Sequence, residues 1–389
     1  MSRLLRLTLT LVIVLAALPV LPAMAQDPPP LPPVCDDGTQ KSGAAYRICM
    51  PNALIPWNGD LVVYAHGYVP DLGQPVAIPE DQLILNGVSL PVLITNMQYA
   101  FAVTSYSANG LAVTEGVADV RDLVRVFKLK VGPALVKHVY LVGVSEGGLV
   151  TTLAVEKFPD VFSGGLAACG PVGDLRGQIN YWGDFRVVFD VLFPDGLVPH
   201  WSAQNAMIPQ AMMLNWDAEA FAIGQQLALP QNLPAIQQLL AVTGAPIDPS
   251  DPINSTGQTV LGILWYNVFA TNDGMAKLRG QPFDNTTRDY GPLNSVVQRF
   301  TADRLPLNLI NSHYQTSGML QVPLVTIHTT GDPIVPYWHE TLYDAKVAAS
   351  GASLLHTNIP VDRYGHCSFT VPEVMGAFQT LVLKVTGPQ

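Results

Sequence analysis

The chain has 389 residues, a formal net charge of −10, only 13% charged residues, 33 prolines and 32 glycines. That length accommodates one large core with a sizeable insertion, and the acidic balance argues against nucleic acid or anionic membrane surfaces as partners. There is no Walker motif, no dinucleotide fingerprint and no His/Cys cluster at zinc spacing, so neither a cofactor nor a metal is expected.

Arg3 and Arg6 precede an apolar stretch over 7–20, and Ala23-Met24-Ala25 has the small-x-small pattern of a cleavage site. Residues 1–25 are therefore expected to be a secretory signal peptide, and the protein to be secreted or periplasmic. No cysteine stands at the cleavage point to take a lipid, and no other stretch is long and apolar enough to span a bilayer. Prolines 28–30, 32 and 33 make 26–34 an extended linker.

The next segment, 35–173, reads as alternating strands and helices. Strands are expected over 44–50, 61–65 and 99–104, and the second runs into His66-Gly67-Tyr68. Val117, Val120, Val124 and Phe127 recur at helical spacing among charged residues, giving a helix that packs on a sheet. The apolar run Val139-Tyr140-Leu141-Val142 then leads into Gly143-Val144-Ser145-Glu146-Gly147-Gly148. Gly-x-Ser-x-Gly between a buried strand and a helix, here expected over 149–158, is the pattern of a strained turn that exposes a serine. A further strand over 165–168 ends at Cys169.

After Gly173 the alternation stops. Residues 174–316 carry helix-like stretches over 202–214 and 234–242, with Trp182, Trp201, Trp216 and Trp265 and the methionines Met207, Met212, Met213 and Met275. They read as one inserted domain. In the remaining segment, 317–389, a strand over 322–327 leads to Asp332. Another over 354–359 is followed by Tyr364-Gly365-His366-Cys367.

These four motifs together resemble the α/β-hydrolase family, over residues 45–175 and 320–389. The resemblance implies a mostly parallel sheet with helices on both faces and, for 174–316, a mainly helical lid. It implies that Ser145 is the nucleophile, His366 the base and Asp332 the acid, in the chain order Ser, Asp, His of that fold. The oxyanion would be held by the backbone N–H groups of Tyr68 and Glu146. Asp362 rivals Asp332 but is four residues from His366 and not at a strand end. Glu146 opens the helix after the serine, where its carboxylate would complement the helix's positive end. His66 would shape the oxyanion loop, and His328 would be a hydrogen-bonded core residue. His339 falls in a helix after Asp332; His138, His200, His313 and His356 have no constellation around them. Candidate substrate-pocket residues are His66, Tyr68, Trp182 and Trp338.

Four cysteines allow three connectivities in an oxidising compartment. Cys35–Cys49 would close a short loop. Cys169 and Cys367 either form a second bridge, bracing the histidine loop, or are two buried thiols.

The expected activity is hydrolysis of carboxylic esters, acyl or aromatic and polymeric ones included, through an acyl-enzyme. Gly67-Tyr68 resembles polyester depolymerases in the oxyanion loop. The cysteine after the histidine resembles tannase-like and feruloyl esterases, which also carry a cysteine before the serine, where this chain has Val144. A serine exopeptidase of the aminopeptidase kind is the alternative, with Asp184, Asp190, Asp217 or Glu219 holding a substrate amine. A binding protein that lost catalysis is the third reading. The oligomeric state is open.

Overall fold

The structure, a computed structural model, describes residues 30–193 and 214–387. The segment 1–25 expected to be a signal peptide, the start of the expected linker, and His200, Trp201, Met207, Met212 and Met213 lie outside the described residues, as does the helix expected over 202–214 except Leu214.

An eight-stranded sheet runs through the molecule in the order β1-β2-β6-β3-β7-β8-β9-β10. Its strands are β1 (Val34–Thr39), β2 (Ala45–Met50), β3 (Leu61–Ala65), β6 (Ala100–Thr104), β7 (Val139–Val144), β8 (Gly164–Ala168), β9 (Leu324–Gly331) and β10 (His356–Tyr364). The short pair β4 (Ile84–Leu85) and β5 (Val88–Ser89) stands apart from it. β1, β2 and β6 pair antiparallel, and every pairing from β6 to β10 is parallel.

β3, β6 and β8 are buried at every residue, as parallel strands between two helical layers must be. On β3, Leu61, Val63 and Ala65 join the cluster that holds α2 (Val113–Val131) and α3 (Glu146–Lys157). The alternate residues Val62 and Tyr64 face the other layer, with Ile94 of α1 (Leu90–Asn96) and Phe378 of the C-terminal helix (Val371–Thr386). The helix expected from Val117, Val120, Val124 and Phe127 is α2, and all four side chains are buried.

β1 was not foreseen. Its sequence, Val-Cys-Asp-Asp-Gly-Thr, is exposed along nearly its whole length and lacks any apolar alternation. It exists as an edge strand paired to β2, with Cys35 directly opposite Cys49 and bonded to it. At the other edge, β10 starts at His356, because 353–355 forms a 3-10 turn.

Between β8 and β9 the described residues form helices and no strand: α4 (Leu175–Leu192), α5 (Trp216–Leu227), α6 (Leu233–Thr243), α7 (Pro252–Leu278) and the short α8 (Arg304–Leu309). Their apolar side chains, Trp182, Phe185, Val260 and Leu264 among them, belong to the same buried cluster as Leu149 and Val150 of α3. Among the described residues, these helices thus pack on the sheet's α2–α3 side as part of the same buried cluster. After β9 comes α9 (Trp338–Ala349), and Val371–Thr386 is α10.

Candidate active site

Ser145 sits between β7 and α3 at φ 56° and ψ −121°, a conformation that non-glycine residues rarely adopt. The turn is tight enough that a Cβ on Gly143 would lie 2.0 Å from the Gly147 carbonyl oxygen, and one on Gly147 would lie 2.0 Å from that of Ala65. Both glycines are therefore sterically required. The Ser145 N–H donates to Ala168 O of the neighbouring strand at 2.9 Å, fixing the turn to the sheet.

Since β7, β8, β9 and β10 run parallel and adjacent, their carboxyl ends bring three distant chain segments to one edge. Asp332 follows β9 directly and His366 follows β10. Ser145 Oγ donates to His366 Nε2 at 2.9 Å, and His366 Nδ1 donates to Asp332 Oδ2 at 2.7 Å. Asp362 lies on the exposed part of β10 and accepts from Thr330 Oγ1 at 3.2 Å.

Asp332 is fully buried and held from several sides. Its Oδ1 accepts from the N–H groups of Ile334 and Val335 at 2.8 and 3.0 Å. Burial alone would raise its pKa, but His366 and His328 hold it well below the usual carboxylate range. His328, expected as a hydrogen-bonded core residue, has that role and more. It bonds Glu340 Oε1 at 2.9 Å through Nδ1 and lies 3.5 Å from Asp332 Oδ2 through Nε2. Burial pulls its pKa down, and the Asp332 and Glu340 carboxylates outweigh this, bringing it to about 10. Its Nε2 also faces Val335 O at 2.8 Å, so both ring nitrogens of His328 meet acceptors behind Asp332.

Helix α4 braces the loop after Asp332, a feature with no signal in the local sequence. Gln178 Nε2 and Trp182 Nε1 of α4 donate to Ile334 O at 2.9 and 3.0 Å, and Tyr181 Oη donates to Pro333 O at 2.8 Å. Cys169 and Cys367 form the second disulfide, tying the exit of β8 to the residue after His366. The two-thiol alternative is thereby set aside.

On the opposite side, Gly67-Tyr68 forms the loop beside Ser145. Gln82, which sequence reasoning missed, clamps it: its Oε1 accepts from Gly67 N at 2.7 Å and its Nε2 donates to Tyr68 O at 3.3 Å. His66 shapes this loop without facing substrate space. It is 2% exposed, bonds Gly67 O through Nδ1 at 2.7 Å and stacks on Tyr106. The Tyr68 hydroxyl donates to Asp273, so that side chain is tied to α7. Glu146 does more than complement a helix end. Its carboxylate is buried and accepts from Ala112 N at 2.8 Å, and burial raises its pKa to about 8.

Two cavities meet at Ser145 and His366. A narrow apolar chamber is lined by Ser145, Glu146 and Tyr68, with Leu149, Ile179, Trp182 and Ala270. A more open cleft is lined by His366, Tyr364, Trp265, Gln258 and Ile334, and Tyr266 of α7 borders both. Trp182 is thus a wall of the chamber as well as a brace. Trp338 lines neither space; it stacks on His339, with ring centroids 3.9 Å apart, because its helical phase turns it away. His339 bonds Gln178 Oε1 at 2.8 Å, His138 bonds Asp60 at 3.0 Å and His356 bonds Asp344 at 2.8 Å, so these three have structural partners. No helix among the described residues is long and apolar enough to cross a membrane.

No protein-family model matches the sequence, and no curated protein does. Among solved structures, the chain is similar to an acylaminoacyl peptidase from Pyrococcus horikoshii at 12% identity and a TM-score of 0.44, over 92% of this chain and 42% of that one. It thus spans about two-fifths of that peptidase's length. It is also similar to Candida antarctica lipase A in its closed state, at 14% identity and a TM-score of 0.43, over 92% of this chain and 78% of the lipase. The third is brefeldin A esterase, a bacterial homologue of human hormone sensitive lipase, at 11% identity and a TM-score of 0.44, over 94% and 79%. The strand order, the glycine-flanked serine turn after β7, and the strand exits that carry Asp332 and His366 are those of the α/β-hydrolase fold, and this chain has that fold.

Proposed function

We propose that the protein is a secreted serine hydrolase that cleaves carboxylic esters through an acyl-enzyme on Ser145. The observation that carries the reading is the hydrogen-bonded series from Ser145 Oγ through His366 to the buried Asp332, opening on an apolar chamber.

In the first half-reaction Ser145 Oγ forms a bond to the substrate carbonyl carbon while its proton passes to His366 Nε2. The carbonyl π pair moves to the oxygen, which is held by the N–H groups of Tyr68 and Glu146. Collapse breaks the bond to the leaving alcohol, whose oxygen takes the proton from His366. Water then repeats the sequence and releases the acid. Asp332 holds the imidazole with Nε2 free to accept and balances the imidazolium formed in each half.

The carboxylates required by an exopeptidase favour the ester instead. Asp184 is engaged by Tyr290 and Arg288, and Asp190 by Arg186. Neither they nor Asp217 and Glu219 border the chamber or the cleft. Residues 174–316 act as the cap over the site, and two disulfides suit the oxidising compartment to which a signal peptide over 1–25 would send the chain. Comparing kcat/KM for an aminoacyl anilide and a matched uncharged ester on one preparation tests the assignment. The ester should win; a preference for the anilide that disappears when its amine is acetylated would overturn it.

A further inference from the structure

The two spaces at the triad differ in what they contain, and that difference assigns the two halves of the substrate. His366 borders the open cleft and not the chamber. Ser145, and the residues whose N–H groups face the developing oxyanion, border the chamber and not the cleft. A leaving alcohol must lie against His366 Nε2, which protonates it. With the carbonyl carbon on Ser145 Oγ and its oxygen towards Tyr68 and Glu146, the remaining substituent points into the chamber. The sizes of the spaces are unequal. The chamber has a cavity volume of about 40 Å³ and the cleft about 340 Å³. The smaller space has room for an acyl group of about two to four carbons.

Tyr266 is the wall between them. Its ring stacks on Trp182 at 5.4 Å, meets Trp265 edge-on at 4.8 Å and stands edge-on to His366 at 6.1 Å. An aromatic residue pinned on three sides resists being pushed aside by a longer chain, so the chamber's depth is set by packing already present.

Resting on the esterase reading above, we infer that Tyr266 partitions the site, so that the substrates are esters of short, uncharged acyl groups with bulky, ring-bearing or polymeric alcohols. The acyl group fills the chamber and the alcohol lies along Trp265 and Tyr364 in the cleft.

The test uses two ester series on the full chain. In the acyl series, p-nitrophenyl acetate to octanoate, kcat/KM should rise about fourfold per methylene while the chamber fills, then fall at least tenfold by octanoate. In the alcohol series, methyl, benzyl and naphthylmethyl butyrate, it should rise with ring size. Ala270→Leu narrows the chamber and should lower butyrate relative to acetate at least tenfold; the three alcohol esters, all butyrates, should fall together, with their rates relative to one another changed less than twofold. Ala270→Val should act in the same direction to a smaller extent and serves if the leucine variant fails to fold. Tyr266→Ala should abolish the penalty on octanoate. If the Ala270 variants instead change the alcohol esters relative to one another, or if octanoate is the best wild-type substrate, the partition is wrong. If Ser145→Ala hydrolyses these esters as fast as the wild type, the esterase reading itself has failed.

Discussion

Removing the two disulfides separately should produce unequal losses, because they close loops of very different length. Cys169 and Cys367 are separated by 198 residues, Cys35 and Cys49 by 14. If each bond acts by restricting the unfolded chain, the long bridge contributes about 5 kcal/mol at 25 °C and the short one about 3 kcal/mol. The paired variants Cys169→Ala/Cys367→Ala and Cys35→Ala/Cys49→Ala, unfolded in urea and followed by fluorescence and circular dichroism together, measure the two terms. The long bridge has a second consequence. It joins the residue after His366 to the residue after Ala168, whose carbonyl accepts the Ser145 N–H. Its loss frees both ends of the Ser145–His366 contact, so kcat should fall at least tenfold, whereas the variant lacking the short bridge should keep kcat within twofold. Equal stability losses, or a larger one for the short bridge, would refute the chain-entropy argument. An unchanged kcat without the long bridge would refute the bracing argument.

Other outcomes follow from single groups. Asp332→Asn should lower kcat about ten-thousandfold without unfolding the protein, while Asp362→Asn stays within twofold; steady-state rates and near-UV circular dichroism check both. Glu146→Gln should change the pH dependence of stability. With its pKa raised from 4.5 to about 8, the folded protein keeps a proton that the unfolded chain releases over that window, so wild-type stability falls as pH rises through it. The glutamine variant can still accept from Ala112 N and lacks this loss. Its urea midpoint should match the wild type near pH 4.5 and exceed it by pH 8.5, and parallel curves would show that Glu146 is ionised throughout.

What could be read in the sequence was chemistry confined to short segments. Gly143, Ser145 and Gly147 are recognisable because one turn needs all three within five positions. Asp332 and His366 are recognisable because each follows an apolar run in the order that the sheet's parallel crossings demand. The supports of these residues lie elsewhere in the chain. Gln82 reaches the Gly67-Tyr68 loop from a 3-10 turn, Gln178 and Trp182 reach the loop after Asp332 from α4, and Tyr266 enters from the middle of a 27-residue helix. Nothing in the local pattern around these residues distinguishes them from ordinary helix or turn residues. Trp338 was misplaced for a related reason: closeness in sequence to Asp332 does not set the direction of a side chain on the next helix. β1 escaped because an exposed edge strand needs no apolar face, and its pairing comes from the strand beside it and the Cys35–Cys49 bond.

The central claim is that Ser145 is an activated nucleophile, and covalent labelling tests it most directly. A fluorophosphonate should form one adduct per chain, peptide mapping should place it on Ser145, and ester hydrolysis should disappear in step with labelling. Ser145→Ala should take no label. An adduct on another serine, or full hydrolytic activity in the unlabelled Ser145→Ala protein, would contradict the account.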